Sequence, residues 1–215
     1  MLWVVLREQL RRIGPLVIAL TATAAALPVL SVRVLLGQGL AADSMLVLSA
    51  AAGLAPAFPL FAFIIGITVA VSAWQSDHVG GHVYALTLPI PRWHYALVRF
   101  AAAFLLVVPV LVGFALSAAV VAAAIELPPG LHSYPLSLVV RFCAATIVAF
   151  ALFFALGSGS KESAGWGLGA LFVIVFLDIA YQAGSGSDYS PLFNLVLGSK
   201  SPLAFFFGQW SLVDV

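Results

Sequence analysis

Charge is what this sequence has least of. Only 8% of its 215 residues are Asp, Glu, Lys or Arg, while 63% are hydrophobic and mean hydropathy is +1.15. A soluble domain carries roughly 25% charged residues. The composition therefore excludes an ordinary water-facing surface and indicates an integral membrane protein. No basic patch interrupts the chain, which argues against nucleic acid as a partner. The single cysteine, Cys143, excludes an internal disulfide framework and a cysteine-based zinc site. It falls inside an apolar run, where a thiol packs as a small inert hydrophobe.

Other absences narrow the function. No phosphate loop of the form GxxxxGK[ST] occurs, so energy from a nucleotide would have to come from another chain. Serines such as Ser72 and Ser117 lie in apolar runs, but no histidine or lysine lies at depth beside them. That argues against an intramembrane protease and against haem ligation. No ionisable group falls near the middle of a run, which argues against a proton- or ion-coupled carrier.

What is present is five long apolar runs. They lie near Ile13 to Leu36, Ala50 to Trp74, Leu97 to Ile125, Leu136 to Leu156 and Ala164 to Ala183. Each reaches the roughly 20 residues that a membrane helix needs. Their unbroken Ala- and Leu-rich character fits helices, because barrel strands alternate in short segments. The expected fold is all-α, a single transmembrane domain over residues 1–215. Pro56 and Pro59 in the second run and Pro109 in the third should kink or break their helices locally.

With the N-terminus in the cytoplasm, the inner side receives Arg7, Arg11, Arg12, Arg92, Arg99 and Lys161. The outer side then receives only Arg33, Arg141 and Lys200, so the positive-inside rule favours this orientation. The opening "MLWVVLREQLRRIG" has some features of a signal peptide. Apolar residues precede its charges, however, and apolarity runs on to Leu36. It reads better as an interfacial amphipathic helix over residues 1–12, bending at Gly14-Pro15 into the first span. Residues 184–215 are apolar but broken by Pro191, Gly198, Lys200, Pro202 and Gly208. They read as an interfacial or re-entrant tail on the outer face.

Three sites invite chemistry. His78 and His82 stand four apart, with Asp77 and His94 near, a spacing that could hold a metal on a helix. Gly80-Gly81 between them weakens that helix, and no cysteine or carboxylate pair completes the set, so no metal site is assigned. Arg141 and Asp178 lie at similar depth on adjacent antiparallel spans and form a candidate intramembrane pair. Snorkelling of each to the interface is the alternative. Gly165 and Gly169 have GxxxG spacing, which permits close helix approach.

The longest polar interruption, residues 75–96, lies on the inner side. After Gly80-Gly81, His82 to Leu88 is long enough for two helical turns that end at Pro89. Val83 and Leu86 would share one side of it, Tyr84 and Leu88 another. Pro91 suits a first helical position. Arg92, Trp93, His94, Tyr95 and Arg99 then form an aromatic and cationic belt for the third span. An ordinary loop is the plain alternative.

The stretch "HVYALTLPIPRWHYALVRF" resembles the loop between the second and third spans of permease subunits in ABC exporters of the ABC-2 type. There a glycine and a short helix ending in Leu-Pro-x-x-Arg lead into the third span. The matching residues are Gly81, Tyr84, Leu86, Leu88, Pro89 and Arg92. "YSPLFNLVLG" is similar to the outer segment after that family's fifth span. The resemblance implies a bacterial inner-membrane permease subunit that lines a substrate path. It further implies a coupling helix (His82, Val83, Tyr84, Leu86, Leu88, Pro89, Arg92) docked on a cytoplasmic ATPase. A second permease subunit, identical or not, and surrounding membrane lipid complete the expected partners. ATP and Mg would bind the ATPase, so this chain would be no enzyme and would hold no cofactor of its own. That family usually has six spans and five are expected here; the sixth is expected just after "WSLVDV", where the sequence stops. Either the chain is truncated or the subunit works with five. The rival expectation is a structural or accessory membrane subunit that transports nothing.

Overall fold

In the computed structural model of the protein, residues 2–37, 44–79, 91–125, 127, 130–159, 161–185 and 210–214 are described. Six helices account for most of them: α1 (Leu2–Gly37), α2 (Ser44–Leu54), α3 (Ala57–Val79), α4 (Arg92–Ala124), α5 (Pro135–Gly157) and α6 (Lys161–Ser185). Five of these are long and apolar enough to cross a membrane; α2, with 11 residues, is too short.

The helix boundaries follow from local chemistry. A residue before proline avoids the helical region, and the chain breaks between α2 and α3 at Ala55-Pro56, as expected for the second apolar run. Pro91 caps α4 from just outside the helix, one position earlier than its sequence suggests, and its carbonyl accepts from the His94 and Tyr95 amides at 3.0 and 3.2 Å. Pro109 is accommodated inside an unbroken α4. Hydroxyls within the helices turn back onto carbonyls one turn away: Thr21 to Val17, Ser31 to Pro28, Thr146 to Phe142. This keeps polar groups satisfied in apolar surroundings.

The separate interfacial helix over residues 1–12 is not found. α1 is one helix of 36 residues with Pro15 inside it. The reason is a single buried stripe, Gln9, Ile13, Val17, Leu20 and Ala24, running through the proline and facing the bundle. At helical spacing these residues keep one face. α1 packs mainly along α4, and that contact holds the N-terminal turns in line with the first span. At 1.5 Å per residue the helix is about 54 Å long, well beyond a hydrocarbon core of about 30 Å.

The described residues divide into two units. One holds α1 to α4, α5 through Phe154, and a short ribbon. Its core is aromatic at both ends. Toward one end, Phe114 stacks on Phe142 with centroids 3.8 Å apart, and Phe58 meets Phe114 edge-on. Toward the other, Phe100, Phe104, Phe150 and Phe154 form a cluster. Between them Gly66 of α3 lies against Thr146, Ala149 and Phe150 of α5, too close to admit even a methyl group.

The ribbon pairs β1 (His132–Ser133) antiparallel with β2 (Val213–Asp214), His132 opposite Asp214. The Tyr134 amide adds a bond to the Leu212 carbonyl at 2.9 Å. Trp210, Leu212 and Val213 are buried. The last described residues are thus fixed to the α4–α5 connection, at the end of the unit assigned to the outer face from sequence.

The second unit begins at Ala155 and holds α6. Within it Gly167 is crowded by the Leu156 side chain, while a methyl group on Gly165 or Gly169 would meet nothing within 4 Å. The Asp178 carboxylate accepts from the Gln182 side chain at 2.8 Å. Arg141 belongs to the other unit.

Candidate functional site, a buried clamp at the ends of one loop

α3 ends and α4 begins on either side of residues 80–90. The two helices are antiparallel neighbours in contact, so residues just outside the loop face one another. Asp77 lies in the last turn of α3. Tyr95 and Arg99, four apart, share one face of α4.

These three side chains meet and are almost wholly buried. The Asp77 and Arg99 side chains are 3% and 6% exposed, and Arg99 Nη2 donates to Asp77 Oδ1 at 2.7 Å. The Tyr95 hydroxyl lies 3.1 and 3.2 Å from the two carboxylate oxygens and donates its proton to them. The same oxygen accepts from Arg99 Nε at 2.8 Å. Arg99 Nη1 donates to the Ala73 carbonyl. The guanidinium also lies 5.6 Å from the Trp74 ring centroid and 5.2 Å from that of Tyr95, within cation–π range. Trp74 in turn donates from Nε1 to the Phe154 carbonyl at 3.0 Å and packs on the Phe154 ring. One polar chain therefore links α3, α4 and α5 directly behind the loop.

A buried charge is tolerated when it is paired and its remaining hydrogen-bonding groups are met, and this cluster meets both conditions. Its polar groups bond to one another and to the helix backbone. What the arrangement supplies is mechanical: the two ends of one loop are fixed to each other and to a third helix. A buried ion pair is directional, so relative movement of α3 and α4 here would break charge-assisted bonds.

Sequence reasoning had placed these residues elsewhere. Tyr95 and Arg99 were expected in an interfacial belt with Arg92, Trp93 and His94. Arg92, Trp93 and His94 are indeed exposed, but Tyr95 and Arg99 turn inward. In the sequence Asp77 stands beside His78 and near His82, where it suggests a metal ligand. Among the described residues no group of three His, Cys, Asp or Glu could hold a metal. The signal that could have found the clamp was an acid just past the end of one apolar run and a base just inside the start of the next. Of the residues expected to dock a partner, His82, Val83, Tyr84, Leu86, Leu88 and Pro89 lie outside the described residues, and Arg92 opens α4. Arg141 and Asp178 fall in separate units.

The N-terminal end of α1 lies at this same end of the unit, where residues from its first three turns approach Ser72, Ala73 and Arg99. Arg7, Arg11, Arg12, Arg92 and Arg99 are therefore gathered at one end of the unit, while Arg33 and Arg141 lie toward the other. No known protein family, curated protein or solved structure matches this chain.

Proposed function

We propose that the chain is a multi-pass membrane protein and the permease subunit of an ATP-driven exporter of the ABC-2 type. In this reading the N-terminus and residues 80–90 face the cytoplasm of a bacterial cell. Two such subunits, alike or different, stand with two ATPase subunits, which bind ATP and Mg. The observation that carries the reading is the 2.7 Å buried pair between Asp77 and Arg99, which bounds the loop whose sequence resembles a coupling helix. An ATPase pushing on that loop would act on α3 and α4 together and, through Trp74 and Phe154, on α5. The gathering of Arg7, Arg11, Arg12 and Arg92 at the same end supports a cytoplasmic placement of that end.

The test is affinity purification of the tagged full chain after mild solubilisation, with co-purifying proteins identified by mass spectrometry and assayed for ATP hydrolysis. A P-loop ATPase is expected to accompany the wild type and to be lost with Leu86→Asp. Recovery of no ATPase, or of one indifferent to Leu86→Asp, would overturn the proposal and favour an accessory membrane subunit.

A further inference from the structure

Beside the clamp, the buried stripe of α1 carries one residue out of character. Gln9 is 6% exposed and continues the face formed by Ile13, Val17 and Leu20. Neither its amide nitrogen nor its amide oxygen has a hydrogen-bond partner. Leaving both donor and acceptor of a buried amide unmet is unfavourable enough to be rare. The side chain borders a recess lined by Glu8, Gln9 and Arg12 of α1, Ser72 and Ala73 of α3, and Arg99 of α4. The recess measures about 10 Å³, close to the least space that holds one water molecule.

The chemistry of the lining selects the occupant. An amide that needs both an acceptor and a donor is served by a molecule that is both. Arg12 and Arg99 disfavour a cation, and the carboxylate of Glu8 disfavours an anion. The volume excludes a phosphate or an alcohol. Ser72 Oγ donates to the Thr68 carbonyl at 2.6 Å and can still accept through its lone pairs.

We propose that this recess binds one ordered water molecule, bonded to the Gln9 amide and to the Ser72 hydroxyl. The water is then a polar joint between α1 and the helix pair that carries the clamp. Such a joint differs from a dry apolar seam. Its hydrogen bonds exchange with solvent, so α1 can shift against α3 and α4 without leaving a protein group unpaired at either end of the movement.

Two measurements on the full chain in lipid nanodiscs or cubic phase test this. A structure at a resolution that reveals solvent should show a peak within about 3.2 Å of Gln9 Oε1 or Nε2. Radiolytic hydroxyl labelling, which marks side chains beside bound water, should modify Val5 or Ile13 in the wild type and fall severalfold in Gln9→Leu. A Gln9 amide bonded directly to a protein group with no solvent peak would overturn the proposal. So would labelling that Gln9→Leu leaves unchanged in a protein that still melts cooperatively. These readouts do not depend on whether an ATPase binds, so the two proposals fail separately.

Discussion

Removing one partner of the Asp77–Arg99 pair should cost at least as much as removing both. In Asp77→Ala, Arg99 keeps the Ala73 carbonyl, the Tyr95 oxygen and two ring faces, but its buried charge loses the carboxylate 2.7 Å away. In Arg99→Leu, Asp77 keeps only the Tyr95 hydroxyl among these partners. With side chains 3% and 6% exposed, neither charge can turn to water where it stands. Breaking a buried pair from one side costs about 3–5 kcal/mol. If the two losses were independent, the double variant would lose ~6–10 kcal/mol on that same scale. Asp77→Ala/Arg99→Leu leaves no buried charge, only an unmet Tyr95 hydroxyl and a small void, for which ~2–4 kcal/mol is expected. The cycle therefore predicts a coupling energy of about 2 kcal/mol or more, in the upper part of the range for residues in direct contact. Equilibrium unfolding in mixed micelles, followed by tryptophan fluorescence, measures all four species, and Trp74 lies beside the cluster. Additivity within about 0.5 kcal/mol would refute the claim that the two charges sustain one another.

Two further outcomes follow from other parts of the fold. A methyl group on Gly66 would come within 2.7 Å of Ala149 Cβ and the Phe150 nitrogen and 2.9 Å of the Thr146 oxygen. Since two of these are backbone atoms, Gly66→Ala must push α3 and α5 apart, at about 1–3 kcal/mol; a lowered melting temperature that Ala149→Gly restores only in part is expected. Val213 is fully buried, so Val213→Asp should destabilise the ribbon by on the order of 3 kcal/mol. Its direct readout is faster hydrogen exchange at the Tyr134 amide, which donates to the Leu212 carbonyl.

How much was legible in the sequence depends on the range over which each feature is encoded. The last three apolar runs reappear as helices near their expected limits, while the first begins eleven residues earlier and the second is divided in two; length and apolarity are local properties. The break at Ala55-Pro56 was equally legible, since proline acts on its own turn. Gly14-Pro15 carries a similar signal yet breaks nothing. There the stripe from Gln9 to Ala24 packs along α4, and tertiary contact outweighs one lost backbone bond.

The sequence by itself determined an apolar, helical chain with its positive charges gathered toward the N-terminus and one loop. Few residues were left to carry chemistry. Only the tertiary structure decided that Arg99 and Tyr95 face inward rather than sit in an interfacial belt. It also decided that Asp77 is their partner rather than a companion of histidines. The physical reason is distance along the chain. An ion pair spanning 22 residues has no periodicity to betray it. It exists because packing of α3 against α4 brings the end of one beside the start of the other, and burial keeps the two charges in contact.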